Sequence, residues 1–147
     1  FYTIARPDEP GGHTWNGLPL EQRNGGSIWI PGSFDADLNL VYFGPAPTYD
    51  TNPLRTPHPD PTMTRDALYT ISTVALDADT GELAWHYQHI SNDQLDHDWA
   101  FERQIMDLRI NGVNRKAVVT GGKLAIFEAL DAATGEYLFS FDLDMQN

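Results

Sequence analysis

The sequence predicts an all-β chain built as an arc of repeated antiparallel units, and three observations carry that expectation. Residues 75–85, Ala-Leu-Asp-Ala-Asp-Thr-Gly-Glu-Leu-Ala-Trp, return in register as residues 129–139, Ala-Leu-Asp-Ala-Ala-Thr-Gly-Glu-Tyr-Leu-Phe. Apolar and β-branched runs are short and are separated by Asp, Asn and Gly, which is strand and turn chemistry. Helical periodicity is nearly absent over the 147 residues.

Each element follows from its local chemistry. In both copies of the repeat a β run ends at Asp77 or Asp131, Thr80-Gly81 or Thr134-Gly135 makes the reversal, and a second run leaves. Asp and Thr side chains bond nearby amides in such a turn, and Gly supplies positive φ. Trp85 and Phe139 fall at the same place in the two copies, so a large aromatic recurs once per unit and is expected to pack one sheet on the next. Residues 27–34 and 40–44 form a similar pair around the polar connection 35–39. Further strands are expected over 70–76, 83–89, 103–110, 116–120, 124–130 and 137–143, with Asn111-Gly112 as a hairpin signal. The Gly/Pro-rich start through Gly26 and the stretch 45–64 read as loops, because Pro53, Pro57, Pro59 and Pro61 remove ladder donors. Long loops on a β scaffold commonly carry function. At about 40 to 50 residues per four-stranded blade, the length accommodates about three blades of a β-propeller. Three blades cannot close a ring, so the chain reads as one sector of a longer protein, 1–147 being a partial propeller domain without a separate second domain.

Composition excludes several partners. Nine Lys and Arg stand against 21 Asp and Glu, a formal charge of -12, so neutralising the phosphates of a nucleic acid is not the work of this surface. No apolar run approaches the roughly 20 residues of a membrane-spanning helix. The absence of Cys removes disulfides, thiolate metal sites and Cys nucleophiles without fixing a compartment. A zinc site built on His86 and His89 is disfavoured, since a strand would turn them to opposite faces.

The repeat Ala-x-Asp-x-x-Thr-Gly-x-x-x-Trp at 75–85 resembles the docking motif of the quinoprotein methanol and ethanol dehydrogenases, which use pyrroloquinoline quinone (PQQ). Three further stretches are similar to that family: Gly25-Gly26-Ser27-Ile28-Trp29 with Phe34-Asp35-x-x-Leu38-Asn39-Leu40-x-Tyr42-x-Gly44; Trp85-His86-Tyr87-Gln88 followed by Asn92-Asp93-Gln94-Leu95-Asp96; and Lys123 ahead of Ala129-Leu130-Asp131. The resemblance implies an eight-bladed propeller in the periplasm that oxidises a small primary alcohol. It also implies PQQ, a calcium or lanthanide ion, and a cytochrome c-type electron acceptor.

By the same resemblance, Trp29 offers the stacking floor for the flat quinone and Ser27 bonds a quinone carboxylate. Lys123 is the cationic contact at the quinone carbonyls, and Asp96 is the base that takes the alcohol proton. Asp96 and Asp98 are the expected metal ligands; two residues apart in an extended segment, they share a face. An acid at position 98 resembles the lanthanide-dependent branch, where it balances a trivalent charge. One departure concerns Pro47, which stands where the family has an asparagine ligand. Thr48, Asp50, a backbone carbonyl or water then fills that place, or metal binding is weakened. The family's glutamate ligand and adjacent-cysteine lid fall upstream of these residues. The competing reading is a non-catalytic propeller that uses the repeat for packing alone, as a scaffold or binding module.

Overall fold

The computed structural model describes residues 1–49 and 51–146. They form two four-stranded antiparallel meanders, each with its strands in sequence order. The first blade is β1 (Ser33–Asp35), β2 (Leu40–Phe43), β3 (Ser72–Asp77) and β4 (Leu83–Gln88); the second is β5 (Gln104–Ile110), β6 (Val113–Gly121), β7 (Ile126–Asp131) and β8 (Tyr137–Asp142). The chain is therefore all-β and propeller-like, with two complete blades. The length that a third blade would occupy lies instead in irregular segments before β1 and between β2 and β3, interrupted by 3-10 turns at Gly12–Trp15, Leu20–Gln22 and Asn52–Arg55. No helix among the described residues is long and apolar enough to cross a membrane.

Turn chemistry repeats as the sequence implies. Asp77 Oδ1 accepts the amides of Asp79 and Thr80 and the Thr80 hydroxyl, while Gly81 N–H donates to the Asp77 carbonyl at 2.8 Å. Asp131 does the same with Ala133, Thr134 and Gly135. The β1–β2 turn is a third instance: Asp35 Oδ1 accepts the amides of Asp37 and Leu38, and Asn39 takes the left-handed place that Gly holds in the other two. A register shift after Ala75 recurs after Ala129. Asn111 and Gly112, both at positive φ, close the β5–β6 hairpin in two residues, as a primed turn requires.

One strand expectation is corrected. Residues 27–32 are not in a strand; β1 begins only at Ser33. Pro31 lacks an amide donor, and Gly25 and Gly26 are left-handed, so the segment runs beside residues 46–47 through isolated bonds, Ala46 N–H to the Ser27 carbonyl and Gly26 N–H to the Pro47 carbonyl.

The core between the blades consists of Leu40, Tyr42, Ala75 and Trp85 on one side and Val118, Leu130 and Ala132 on the other. Trp85 docks on the second repeat: its indole N–H donates to the Ala132 carbonyl at 3.1 Å, and its ring lies where a Cβ at Gly135 would approach to 2.5 Å. Tyr42 donates to the same carbonyl. Phe139, the equivalent of Trp85 one repeat later, is exposed on the outer face of β8. A second core, Trp15, Leu18, Leu54, Tyr69 and Val74 among its members, seats the N-terminal segment on the first blade.

Antiparallel parity places the connections. The repeated turns 35–39, 77–81, 111–112 and 131–135 lie at one end of the blades. The segment before β1, the β2–β3 connection, the β4–β5 connection and the β6–β7 turn all gather at the other.

Candidate functional site

Every site residue expected from the sequence lies in that second set of connections. Asp96 and Asp98 are in the β4–β5 connection, Lys123 is in the β6–β7 turn, and Ser27 and Trp29 precede β1. The structure brings Lys123, Asp96 and Asp98 into contact. Lys123 Nζ lies 2.8 Å from Asp96 Oδ2 and 2.7 Å from Asp98 Oδ2, and Lys123 N–H donates to the Asp98 carbonyl at 3.0 Å. One ammonium thus serves two carboxylates from another blade connection. The hydrogen bond and charge of Lys123 hold the Asp96 carboxyl below the usual aspartate range. In return the two carboxylates push the lysine up.

Asp98 carries the more telling feature. Only 4% of it is exposed, and its Oδ1 is buried with no hydrogen-bond partner. An ionised oxygen in that state is costly unless a cation or donor completes it. Asp93 is equally buried, at 4%. The stretch 93–98 is therefore not an ordinary solvated acidic turn; of its acids only Asp96 is open to solvent.

Ser27 reaches the same cluster through Tyr49, which the sequence did not single out. The Ser27 and Tyr49 side chains are hydrogen bonded; burial raises the Tyr49 phenol, with the charges of Asp98 and Asp96 adding to the rise. Trp29 is 52% exposed and stands edge-on to Phe101, 6.2 Å between ring centres. It is thus not a core tryptophan. A cavity of about 260 Å3, lined by Phe101, Thr120, Gly122 and Phe127 among others, opens between the neighbours of Trp29 and those of Lys123.

Gly25, two residues before Ser27, has a structural use. A Cβ at Gly25 would meet the Pro47 carbonyl oxygen at 2.0 Å, so Gly25 serves the close passage of two backbone segments. That passage sets Pro47 beside Ser27. The Thr48 hydroxyl is already engaged, donating to the Asp93 carbonyl at 3.0 Å and accepting from Gln94 Nε2 at 2.8 Å, so it is a poor substitute ligand. Asp50 lies outside the described residues.

A buried relay supports this end from below. Arg103 Nε donates to the Thr73 hydroxyl, which donates to His89 Nε2, while His89 Nδ1 donates to the Glu128 carboxylate; this order fixes the tautomer assigned to His89. Burial pushes the Arg103 guanidinium down to about 9 and lowers the His89 imidazole. His89 stacks on Trp99, 4.9 Å between rings, and the other side of Trp99 faces Gly122, where a Cβ would come within 2.4 Å. Segments 96–101 and 121–123 are registered by that sandwich. His86 packs instead on Tyr69.

Among the described residues no group of three or more His, Asp or Glu side chains converges as a complete metal site. Asp96 and Asp98 supply two hard oxygen donors, and the orphaned Asp98 Oδ1 is the observation that fits them to a hard cation. An exposed indole, a serine hydroxyl and an ammonium at the same end fit a flat anionic ring.

The blade pair collects cationic, acidic and aromatic groups at one end. Residues 1–143 match the PQQ-dependent glucose/ethanol/alcohol dehydrogenase β-propeller domain, and the chain belongs to that family. It is 34% identical over 138 residues to the quinohemoprotein alcohol dehydrogenase of Comamonas testosteroni, covering 91% of this chain and 18% of that protein. With the putative dehydrogenase XoxF of Paracoccus denitrificans it shares 32% identity over 132 residues, 90% of this chain and 21% of the relative. Among solved structures, quinohemoprotein alcohol dehydrogenase ADHIIG of Pseudomonas putida superimposes with a TM-score of 0.82 at 31% identity, over 97% of this chain and 22% of that one. A europium-containing methanol dehydrogenase gives 0.76 at 26% identity, over 92% and 22%. The chain thus spans about a fifth of the length of these relatives.

Proposed function

We propose that this chain is a sector of an eight-bladed quinoprotein alcohol dehydrogenase, and that within a longer protein it contributes the base, the cationic quinone contact and two metal-ligand carboxylates. The observation that carries the reading is the triad in which Lys123 closes on Asp96 and Asp98 while one Asp98 oxygen stays buried and unpartnered. Bound at this end, PQQ supplies the hydride acceptor and a calcium or lanthanide ion supplies the Lewis acid.

The chain's own groups then have defined tasks. Asp96, ionised because Lys123 favours its charged form, accepts the hydroxyl proton of a small primary alcohol. Lys123 places positive charge where negative charge develops on the acceptor. Trp29 presents an apolar face to the ring, and the Ser27 hydroxyl offers a donor to an anionic substituent. Asp96 and Asp98 hold the cation; the acid at 98 suits a trivalent ion, in keeping with the europium-containing relative. A cytochrome c-type acceptor is in keeping with the similarity to the lupanine 17-hydroxylase (cytochrome c) of Pseudomonas, and a periplasmic location is part of the same proposal.

Two measurements on the full-length protein test this. Apoenzyme given PQQ and metal is expected to retain quinone absorbance after gel filtration, and Lys123→Met to lose it; a colourless wild-type product contradicts the reading and favours a scaffold. Lanthanum is expected to activate more than calcium, with the order reversed in Asp98→Ala. Equal activation of the wild type by both ions removes Asp98 from the metal site.

A further inference from the structure

We propose that Asp93 is the positioning residue of the candidate base, holding Asp96 in its presenting conformation through the peptide groups on either side of it. Asp96 has φ +63, a left-handed conformation that residues with a side chain seldom adopt. Its neighbours are both tied to one carboxylate: Leu95 N–H donates to Asp93 Oδ1 at 3.0 Å, and His97 N–H donates to Asp93 Oδ2 at 2.7 Å. His97 Nδ1 adds a third bond to Oδ1 at 2.9 Å. Among the described residues Asp93 is buried without an ion pair to Lys or Arg, and these donors are what satisfies its carboxylate.

Asp93 is itself fastened to a different connection. Its carbonyl accepts the Thr48 hydroxyl, Gln94 returns a bond to that hydroxyl, and Asn92 Nδ2 donates to the Leu54 carbonyl at 3.0 Å. The β2–β3 connection is thus a fixed frame, Asp93 is the clamp on it, and the peptide flanked by the clamp carries Asp96 toward Lys123 on the neighbouring blade. An extended conformation at residue 96 would rotate its carboxylate away from Lys123. Misplacement of a reacting group by about 1 Å costs on the order of 100-fold in rate, so the clamp acts on turnover rather than on binding.

The inference rests on Asp96 being the base, and the experiment separates the two. In the full-length, quinone-loaded enzyme, Asp93→Asn leaves one acceptor oxygen where two are used. The kcat for a primary alcohol is expected to fall roughly 10- to 100-fold with KM and quinone absorbance unchanged. Thr48→Val, which keeps the shape and removes the hydroxyl that ties Asp93 to Gln94, is expected to lower kcat in the same direction by a smaller factor. Wild-type kcat in either variant, with Asp96→Asn inactive, overturns the clamp and leaves the base in place. Loss of quinone absorbance or a lowered melting temperature in Asp93→Asn also overturns it, because Asp93 is then a general structural support. Turnover by Asp96→Asn overturns the reading of the base itself.

Discussion

At the scale of single residues, the site turns on how one lysine divides its charge between two aspartates. Lys123 lowers Asp96, so the carboxylate form persists as pH falls below the usual aspartate value of about 3.9. Replacing Lys123 by Met removes that stabilisation. The acidic limb of kcat/KM is then expected to move to higher pH, a shift that a pH–rate profile at saturating quinone reads directly; a limb that stays in place means that Asp96 and Lys123 are not paired in the working enzyme. The identities of Asp96, Asp98 and Lys123 were legible in the sequence because the surrounding motif is long and specific. The resemblance also leads one to expect Lys123 and Asp96 around one void, but their direct ion pair across 27 residues of sequence comes from the fold. Tyr49 and Phe101 carried no signal: a tyrosine and a phenylalanine in irregular segments look alike whether they brace a site or cover a surface. The buried state of Asp93 and Asp98 was equally hidden, because an acid-rich stretch with Asn and Gln reads as a solvated turn.

At the scale of elements, the repeat makes an internally controlled test possible. Gly81 and Gly135 occupy the same turn position at nearly the same φ, +71 and +74, yet a Cβ at Gly81 meets open space and one at Gly135 meets the Trp85 ring at 2.5 Å. Gly→Ala at either site incurs the left-handed cost of roughly 1–2 kcal/mol. Gly135→Ala adds overpacking of about 1–3 kcal/mol more, so it is expected to lower the melting temperature of the full-length protein further than Gly81→Ala. Equal shifts mean that Trp85 does not dock tightly on the second repeat. Turn positions and strand order were readable because Asp, Thr, Asn and Gly report local backbone geometry. The start of β1 was misplaced because Ile28, Trp29 and Ile30 look like a strand, while Pro31 and the close passage past Pro47 keep them out of the ladder. The number of blades depends on how much chain goes to loops, and the long β2–β3 connection takes the length of about half a blade.

At the scale of the whole molecule, an excess of negative charge is managed by a few cations that bridge the blades. Lys116 on β6 sits 3.0 Å from Asp35 and 2.7 Å from Asp37 of the first blade. Burial pushes the Asp35 carboxyl up, but the Lys116 ammonium and the amides of Leu38 and Asp37 outweigh it and the net change is downward. A carboxyl lowered by folding stabilises the native state above its unfolded pKa and loses that contribution as pH falls through the folded value. Lys116→Met is therefore expected to lower the melting temperature near neutral pH and to make progressively less difference below about pH 4. A difference that is constant with pH contradicts an electrostatic clamp. The site at the other end depends on the same junction, since its base and its cation come from different blade connections.

The most direct measurement is single-turnover oxidation of a primary alcohol by the quinone-loaded, full-length Asp96→Asn enzyme, followed by quinone absorbance. Retained quinone, an unchanged melting temperature and alcohol-dependent reduction slowed by at least roughly 100-fold are expected if Asp96 is the base. Reduction at the wild-type rate contradicts that assignment.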